Sequence, residues 1–168
     1  MDEHAADQLS SLGRVGRLLG DAGIAYWLYG GWAVDFYAGE ATRPHDDVDL
    51  AVWFDDLPRI DELLRSDGWR HAPDPDEDGG TGYERDGVRF ELLYLVYAAD
   101  GRIVTPLRDG PAVWSPDAFA GDARELNGVR STVMGLETLT GMKRYARGDP
   151  EDMAKDRADL EHLARLSR

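Results

Sequence analysis

The sequence predicts an α+β fold: a mixed β-sheet flanked by helices, with further helices at the C-terminal end. Three observations carry this. Leu9, Leu12, Val15 and Leu19 recur at helical spacing. The run Ile24-Ala25-Tyr26-Trp27-Leu28-Tyr29 is apolar on both faces and rich in β-formers, as a buried central strand would be. Tyr83-Glu84-Arg85 and Val88 to Tyr97 flank Asp86-Gly87, the dipeptide of a type I′ hairpin.

The elements follow in order. A first helix over residues 5–20 is ended by Asp21-Ala22-Gly23. After the strand at 24–29, Gly30 and Gly31 turn the chain into a short helix, Trp32 to Tyr37, closed near Gly39. An acidic strand occupies 46–53, and Asp56 to Ser66 forms a helix that buries Leu57, Ile60, Leu63 and Leu64. The segment Pro73 to Gly80 is acidic, holds two prolines and two glycines, and is expected to be a mobile loop. After the hairpin, Asp100-Gly101 turns into Ile103-Val104, and Val129 to Met134 gives another strand. Two helices finish the chain. One runs from Leu136 to Arg147; the other starts at Pro150 with Asp149 as its cap. There is no repeat and no long linker, so one domain over 1–168 is expected, its helical part from about residue 136.

Composition narrows the function. At 168 residues and 42% apolar, with five Trp and seven Tyr, the chain is long and apolar enough to bury a core. The absence of cysteine excludes disulfides, thiolate metal sites and cysteine nucleophiles. No signal peptide opens the sequence and no apolar run approaches the ~20 residues of a membrane span, so a soluble cytoplasmic protein with no membrane partner is expected. The net charge of −14 and the lack of a basic cluster argue against nucleic acid as a partner. Such charge also keeps a protein soluble, but it favours a small and cationic partner over a polyanion.

The chemistry concentrates in Gly30-Gly31-Trp32-Ala33-Val34-Asp35 and Thr42-Arg43-Pro44-His45-Asp46-Asp47-Val48-Asp49. Side chains alternate along a strand, so Asp47 and Asp49 share one face while Val48, Leu50 and Val52 share the other. Two carboxylates on one face repel unless a cation lies between them. Mg²⁺ suits this pair, since it commonly takes one or two carboxylates and leaves its other positions to water and phosphates. Paired glycines let backbone N–H groups approach a phosphate at a helix start. There is no Walker-type G-K-[ST], no GxGxxG and no hydrolase triad.

GGWAVD followed by G-x-x-TR-x-H-x-D-V-D resembles the small aminoglycoside and lincosamide antibiotic nucleotidyltransferases of the DNA polymerase β-like superfamily. The resemblance is strongest over residues 24–53, extends through Glu91, and returns at Lys155-Asp156-Arg157-Ala158-Asp159-Leu160. It implies a nucleotidyltransferase fold with a third acid on a later strand. Glu91, the lone acid in Val88 to Val96, stands at that place, where many members carry Asp. A buried carboxylate needs a partner or a task. Glu91 either joins Asp47 and Asp49, as metal ligand or general base, or lies on an exposed face paired with Arg89.

Other candidates are read from their neighbours. Arg43 reaches a triphosphate or braces Asp46 or Asp47; preceding a proline, it is extended. His45 is expected to be structural, and Asp35 to face solvent or cap a loop. Asp46 falls on the far face of the strand. Lys143 and Lys155 lie on C-terminal helices where lysine is usually solvated, though the resemblance raises Lys143 as a phosphate contact. The expected reaction is Mg²⁺-dependent transfer of NMP to a small-molecule hydroxyl with release of pyrophosphate. The resemblance implies ATP as donor and an aminoglycoside or lincosamide as acceptor. A toxin-like or regulatory module acting on tRNA or protein, and a non-catalytic nucleotide binder, are the alternatives.

Overall fold

The computed structural model describes residues 1–145 and 148–166. Helix α1 (Glu3–Asp21) is capped by the Asp2 carboxylate, which accepts from the Ala5 N–H at 2.8 Å, and it buries Leu9, Leu12, Val15 and Leu19. Strand β1 (Tyr26–Tyr29) leads into helix α2 (Gly30–Ala38), and β2 (Val48–Trp53) into α3 (Leu57–Ser66). Then come β3 (Arg70–His71), β4 (Gly80–Arg85), β5 (Val88–Tyr97), β6 (Ile103–Thr105) and β7 (Ala112–Val113). A separate hairpin, β8 (Ala123–Leu126) and β9 (Val129–Thr132), precedes α4 (Leu136–Arg144) and α5 (Pro150–Leu166).

The main sheet runs β1-β2-β5-β4-β3, with β6 and β7 continuing from the far end of β5. Pairing is antiparallel except between β2 and β5, which are parallel. That single parallel pair makes the sheet mixed: α3 carries the chain from β2 to β3 at the far edge, and two antiparallel steps through β4 bring β5 in beside β2 in the same direction. β2 lies deep in the sheet; Val48, Leu50, Ala51 and Val52 are all buried. Trp32 from α2, Leu12 and Leu19 from α1, and Ile60 and Leu64 from α3 complete the core over one face.

The expected elements are present, with informative shifts. α2 begins at Gly30 itself rather than Trp32, because Gly30 takes φ +71° and turns the chain at once. β2 begins at Val48, so Asp46 and Asp47 precede the ladder. Asp86 and Gly87 both have positive φ, as a type I′ turn requires. The same signal at Asn127-Gly128 makes the β8–β9 hairpin, of which the sequence reading had seen only the second strand. Asp149 does cap α5, accepting from the Glu151 N–H at 2.8 Å. The helix expected to reach Arg147 is α4, ending at Arg144; Ala146 and Arg147 lie outside the described residues, as do Ser167 and Arg168 at the end of the expected helical part.

The acidic loop before β4 departs from expectation. Its apolar content is low, yet polar contacts hold it: the Asp78 carboxylate accepts from the Arg108 N–H at 2.8 Å, and the Asp74 carboxylate from the Asp76 N–H at 2.9 Å. Within the same loop, Oε2 of Glu77 is buried.

Candidate active site

The two glycines sit where β1 ends and α2 starts, and no side chain caps that helix start. A Cβ on Gly30 would fall on the Asp49 carboxylate; one on Gly31 would fall on the His45 ring and stand 2.7 Å from the terminal nitrogen of Arg43. Only glycine lets this backbone come so close to both an acid and a guanidinium.

The acids come from neighbouring strands. Asp49 is the Cα partner of Tyr29 across β1–β2 and of Glu91 across β2–β5. Asp47, half-buried just before β2, lines the same cleft, a space of about 1170 Å³ that also receives Gly30, Gly31, Glu77 and Glu91. Burial, then the charges of Asp46 and Glu77, push the Asp47 carboxyl above its ordinary range. Burial likewise pushes the Tyr29 hydroxyl well up, reinforced by Asp49, Glu77, Asp47 and Glu91 around it.

Both readings of Glu91 contain part of the answer. It does pair with Arg89, as the exposed-face alternative required. It is nevertheless 8% exposed, beside Asp49 and on the cleft wall. Arg89 engages Oε1 only; Oε2 of Glu91 and Oε2 of Glu77 are buried without a hydrogen-bond partner among the described residues. Burial first, then the facing Glu77 carboxyl, push Glu91 up to about 8 against the pull of Arg89. Sequence reasoning missed Glu77, since one glutamate among Asp74, Asp76 and Asp78 carries no distinguishing signal.

The segment joining the motif's halves is tied down from within. Asp35 is fully buried rather than solvent-facing, and it caps the loop as the other expectation had it. Its carboxylate accepts from the Thr42 N–H at 3.1 Å and the Thr42 hydroxyl at 2.5 Å, and lies 2.6 Å from Nε2 of His45. His45 packs against Trp32, and its carbonyl accepts from Gln8, so it is structural as expected.

The cations stand on the opposite wall. The chain has two lysines, Lys143 and Lys155, and both line this cleft together with Arg43. Arg43 braces neither Asp46 nor Asp47: it donates from Nε and a terminal nitrogen to the two oxygens of Asp159, at 2.8 and 2.9 Å. Lys143 is not freely solvated: half-buried, it lies 2.9 Å from Asp159 and 3.2 Å from Asp156. Lys155 reaches Asp46 at 2.7 Å, which draws that exposed acid to the rim of the cleft. Burial alone would push Asp159 up; Arg43 and Lys143 outweigh it and hold the carboxyl below its ordinary range.

Among the described residues no three carboxylates or imidazoles close into a ready-made metal cage. Mg²⁺ does not require one, taking one or two carboxylates together with waters and phosphates. The donor set fits: hard oxygens of Asp47 and Asp49, with an orphaned buried oxygen of Glu91 across the strand pair.

Structures of known proteins share this fold. The lincomycin-bound lincosamide adenylyltransferase LnuA superposes with a TM-score of 0.68 at 18% identity, covering 89% of this chain and 92% of that one. ANT(2'')-Ia, in complex with adenylyl-2''-tobramycin, gives 0.67 at 18% identity, covering 95% and 94%. An antigenic nucleotidyltransferase-like protein from Paracoccidioides brasiliensis gives 0.61 at 19% identity, covering 95% and 77%. No curated protein matches the sequence. The model of the aminoglycoside-2''-adenylyltransferase family, however, matches residues 11–163, nearly the whole chain, and it places the glycine turn, Asp47, Asp49 and Glu91 within one homologous unit. The chain belongs to the aminoglycoside-2''-adenylyltransferase family and is a nucleotidyltransferase.

Proposed function

We propose that this enzyme transfers AMP from Mg²⁺·ATP to a hydroxyl of an aminoglycoside-like acceptor, releasing pyrophosphate, and that the whole chain is one such domain. The observation that carries the reading is the side-by-side placement of Asp49 and Glu91 next to the Gly30-Gly31 turn. Its family supports an aminoglycoside as acceptor, and a lincosamide is the neighbouring choice. The net charge of −14 favours the cationic one. ATP points to the cytoplasm, and no helix among the described residues is long and apolar enough to cross a membrane.

In this reading Asp47 and Asp49 hold Mg²⁺, with Glu91 at its edge. When bound, the ion offsets charge on the α-phosphate and on the leaving pyrophosphate. The N–H groups at the start of α2 meet the phosphates, where helix dipole and open donors favour an anion. Arg43 and Lys143 close on the triphosphate from the other wall. Glu91 accepts the acceptor hydroxyl's proton on Oε2, the oxygen Arg89 leaves open. In the metal-free protein this carboxyl holds its proton up to about 8; a cation bound beside it would favour the ionised form that a general base requires.

The test is α-labelled ATP with Mg²⁺ and a panel of aminoglycosides, lincosamides and bulk tRNA. Label on an aminoglycoside together with released pyrophosphate is expected. Label on tRNA alone, or on nothing, overturns the proposal.

A further inference from the structure

The sequence offers Arg43 and, by resemblance, Lys143 as phosphate contacts, but nothing in it says what would aim them. The structure shows the aiming group. Asp159 is fully buried in α5, opposite the motif loop. It takes two donors of the Arg43 guanidinium, one on each oxygen, and the Lys143 ammonium besides. One carboxylate thereby fixes two cations from different elements, the loop before β2 and helix α4. Asp156, three residues earlier on the same face of α5, steadies Lys143 from the side.

A guanidinium has five N–H donors. Asp159 receives two of Arg43's, and the Pro44 carbonyl accepts one at 3.0 Å. The same group ends beside Gly31, at the start of α2, where a Cβ would stand 2.7 Å from its terminal nitrogen. That nitrogen is one of the two that donate to Asp159, so the bidentate grip fixes the plane of the guanidinium beside the helix start. Stability alone is a poor reason for this arrangement. Buried ion pairs are commonly replaceable by packed apolar residues at no loss, and apolar Leu163 lies on the same helix, fully packed.

We propose that Asp159 is a positioning residue that orients Arg43 and Lys143 toward the nucleotide's triphosphate. It acts through them, touching no substrate. The inference rests on the reading of the cleft as a Mg²⁺·ATP site, and its test includes a ligand other than ATP.

The experiment measures KM for ATP, KM for the acceptor and kcat, with Mg²⁺·tripolyphosphate affinity by calorimetry and the melting temperature alongside. Asp159→Asn keeps the shape and removes the charge that holds the fork. Arg43→Lys keeps the positive charge and loses the planar bidentate grip. Both variants should raise KM for ATP and weaken tripolyphosphate by roughly tenfold or more, the usual scale for losing an orienting partner. KM for the acceptor should stay unchanged. Asp159→Glu should recover part of the loss. The double variant should lose less than the two single losses combined, because the Arg43–Asp159 grip is common to both. Unchanged ATP and tripolyphosphate affinity in Asp159→Asn, with a lowered melting temperature, overturns the proposal and leaves Asp159 a structural tie. If Asp159→Asn does not fold, Arg43→Lys decides: wild-type tripolyphosphate affinity there overturns it equally. A wild-type enzyme that labels no acceptor yet binds tripolyphosphate in an Asp159-dependent way refutes the transfer reaction and supports the positioning role.

Discussion

Asp49 and Glu91 are Cα partners across the one parallel strand pair of the sheet. Far apart in the chain, they lie at the same level because α3 crosses to β3 at the far edge and the antiparallel steps through β4 return β5 beside β2 in the same direction. Antiparallel pairing at this position would carry the chain into β5 from the opposite end. The proposed site therefore depends on strand topology as much as on residue type.

Asp47→Asn and Asp49→Asn should fold and lose Mg²⁺-dependent turnover. Asp47 is held above its ordinary range by burial and by neighbouring acids, so removing its charge should raise the melting temperature in metal-free buffer. Turnover assays and thermal shift with and without Mg²⁺ check both halves. Near wild-type turnover in either variant would show the metal pair to be wrong.

Glu91→Gln preserves size and hydrogen bonding but accepts no proton. Turnover should fall by roughly 10²–10⁴-fold, the usual value of a general base. Unaltered Mg²⁺·ATP affinity assigns Glu91 to base duty alone, while weakened affinity adds a metal contact. A change below about threefold would remove Glu91 from the chemistry.

Stability of the metal-free protein should depend on pH through the same residue. Glu91 sits at about 8 in the folded protein against an ordinary 4.5. Between those values the folded state keeps a proton that the unfolded chain releases. The unfolded state thus binds fewer protons, and stability falls as pH rises. The contribution is complete below about pH 4.5 and lost by about pH 8. Melting temperature should decline from about pH 5 to about pH 8 in wild type, and Glu91→Gln should flatten that slope. A rising melting temperature over this range would contradict the raised carboxyl.

Gly30→Ala should damage both fold and site. The left-handed backbone costs an L-residue about 1–2 kcal/mol, and the new methyl would stand on the Asp49 carboxylate. Loss of activity should exceed what the drop in melting temperature explains. Gly39→Ala is the control, at a similar φ of +78° with open space for a Cβ; it should lose stability and retain turnover.

Acceptor binding should weaken with salt. A cationic aminoglycoside meeting a protein of net charge −14 feels a field screened over about 8 Å at physiological ionic strength. Calorimetry at two salt concentrations measures it. No binding at low salt would turn attention to a neutral, lincosamide-like acceptor.

Much of this was legible in the sequence because it was local. The glycine pair, Asp47 and Asp49 lie within one strand–turn–helix–strand unit, and Asp86-Gly87 names its own turn. Long-range pairing was not legible. That Arg43 would meet Asp159, and Lys143 the same carboxylate, depends on how α5 packs, which no periodicity encodes. The loop before β4 read as unpacked because its residues are polar; ordered polar contacts such as Asp78 with Arg108 are invisible to hydropathy. Glu77, in the same loop, lines the cleft.

The distribution of lysine has a practical consequence. Amine-reactive dyes, cross-linkers and coupling resins scatter over the surface of most proteins. On this chain they have two side-chain targets, and both border the cleft. Side-chain conjugation through primary amines would therefore fall first on Lys155 at the cleft rim, since Lys143 is held between Asp156 and Asp159, and nucleotide in the proposed site would shield both. The same scarcity turns amine footprinting into a nearly background-free report of cleft occupancy.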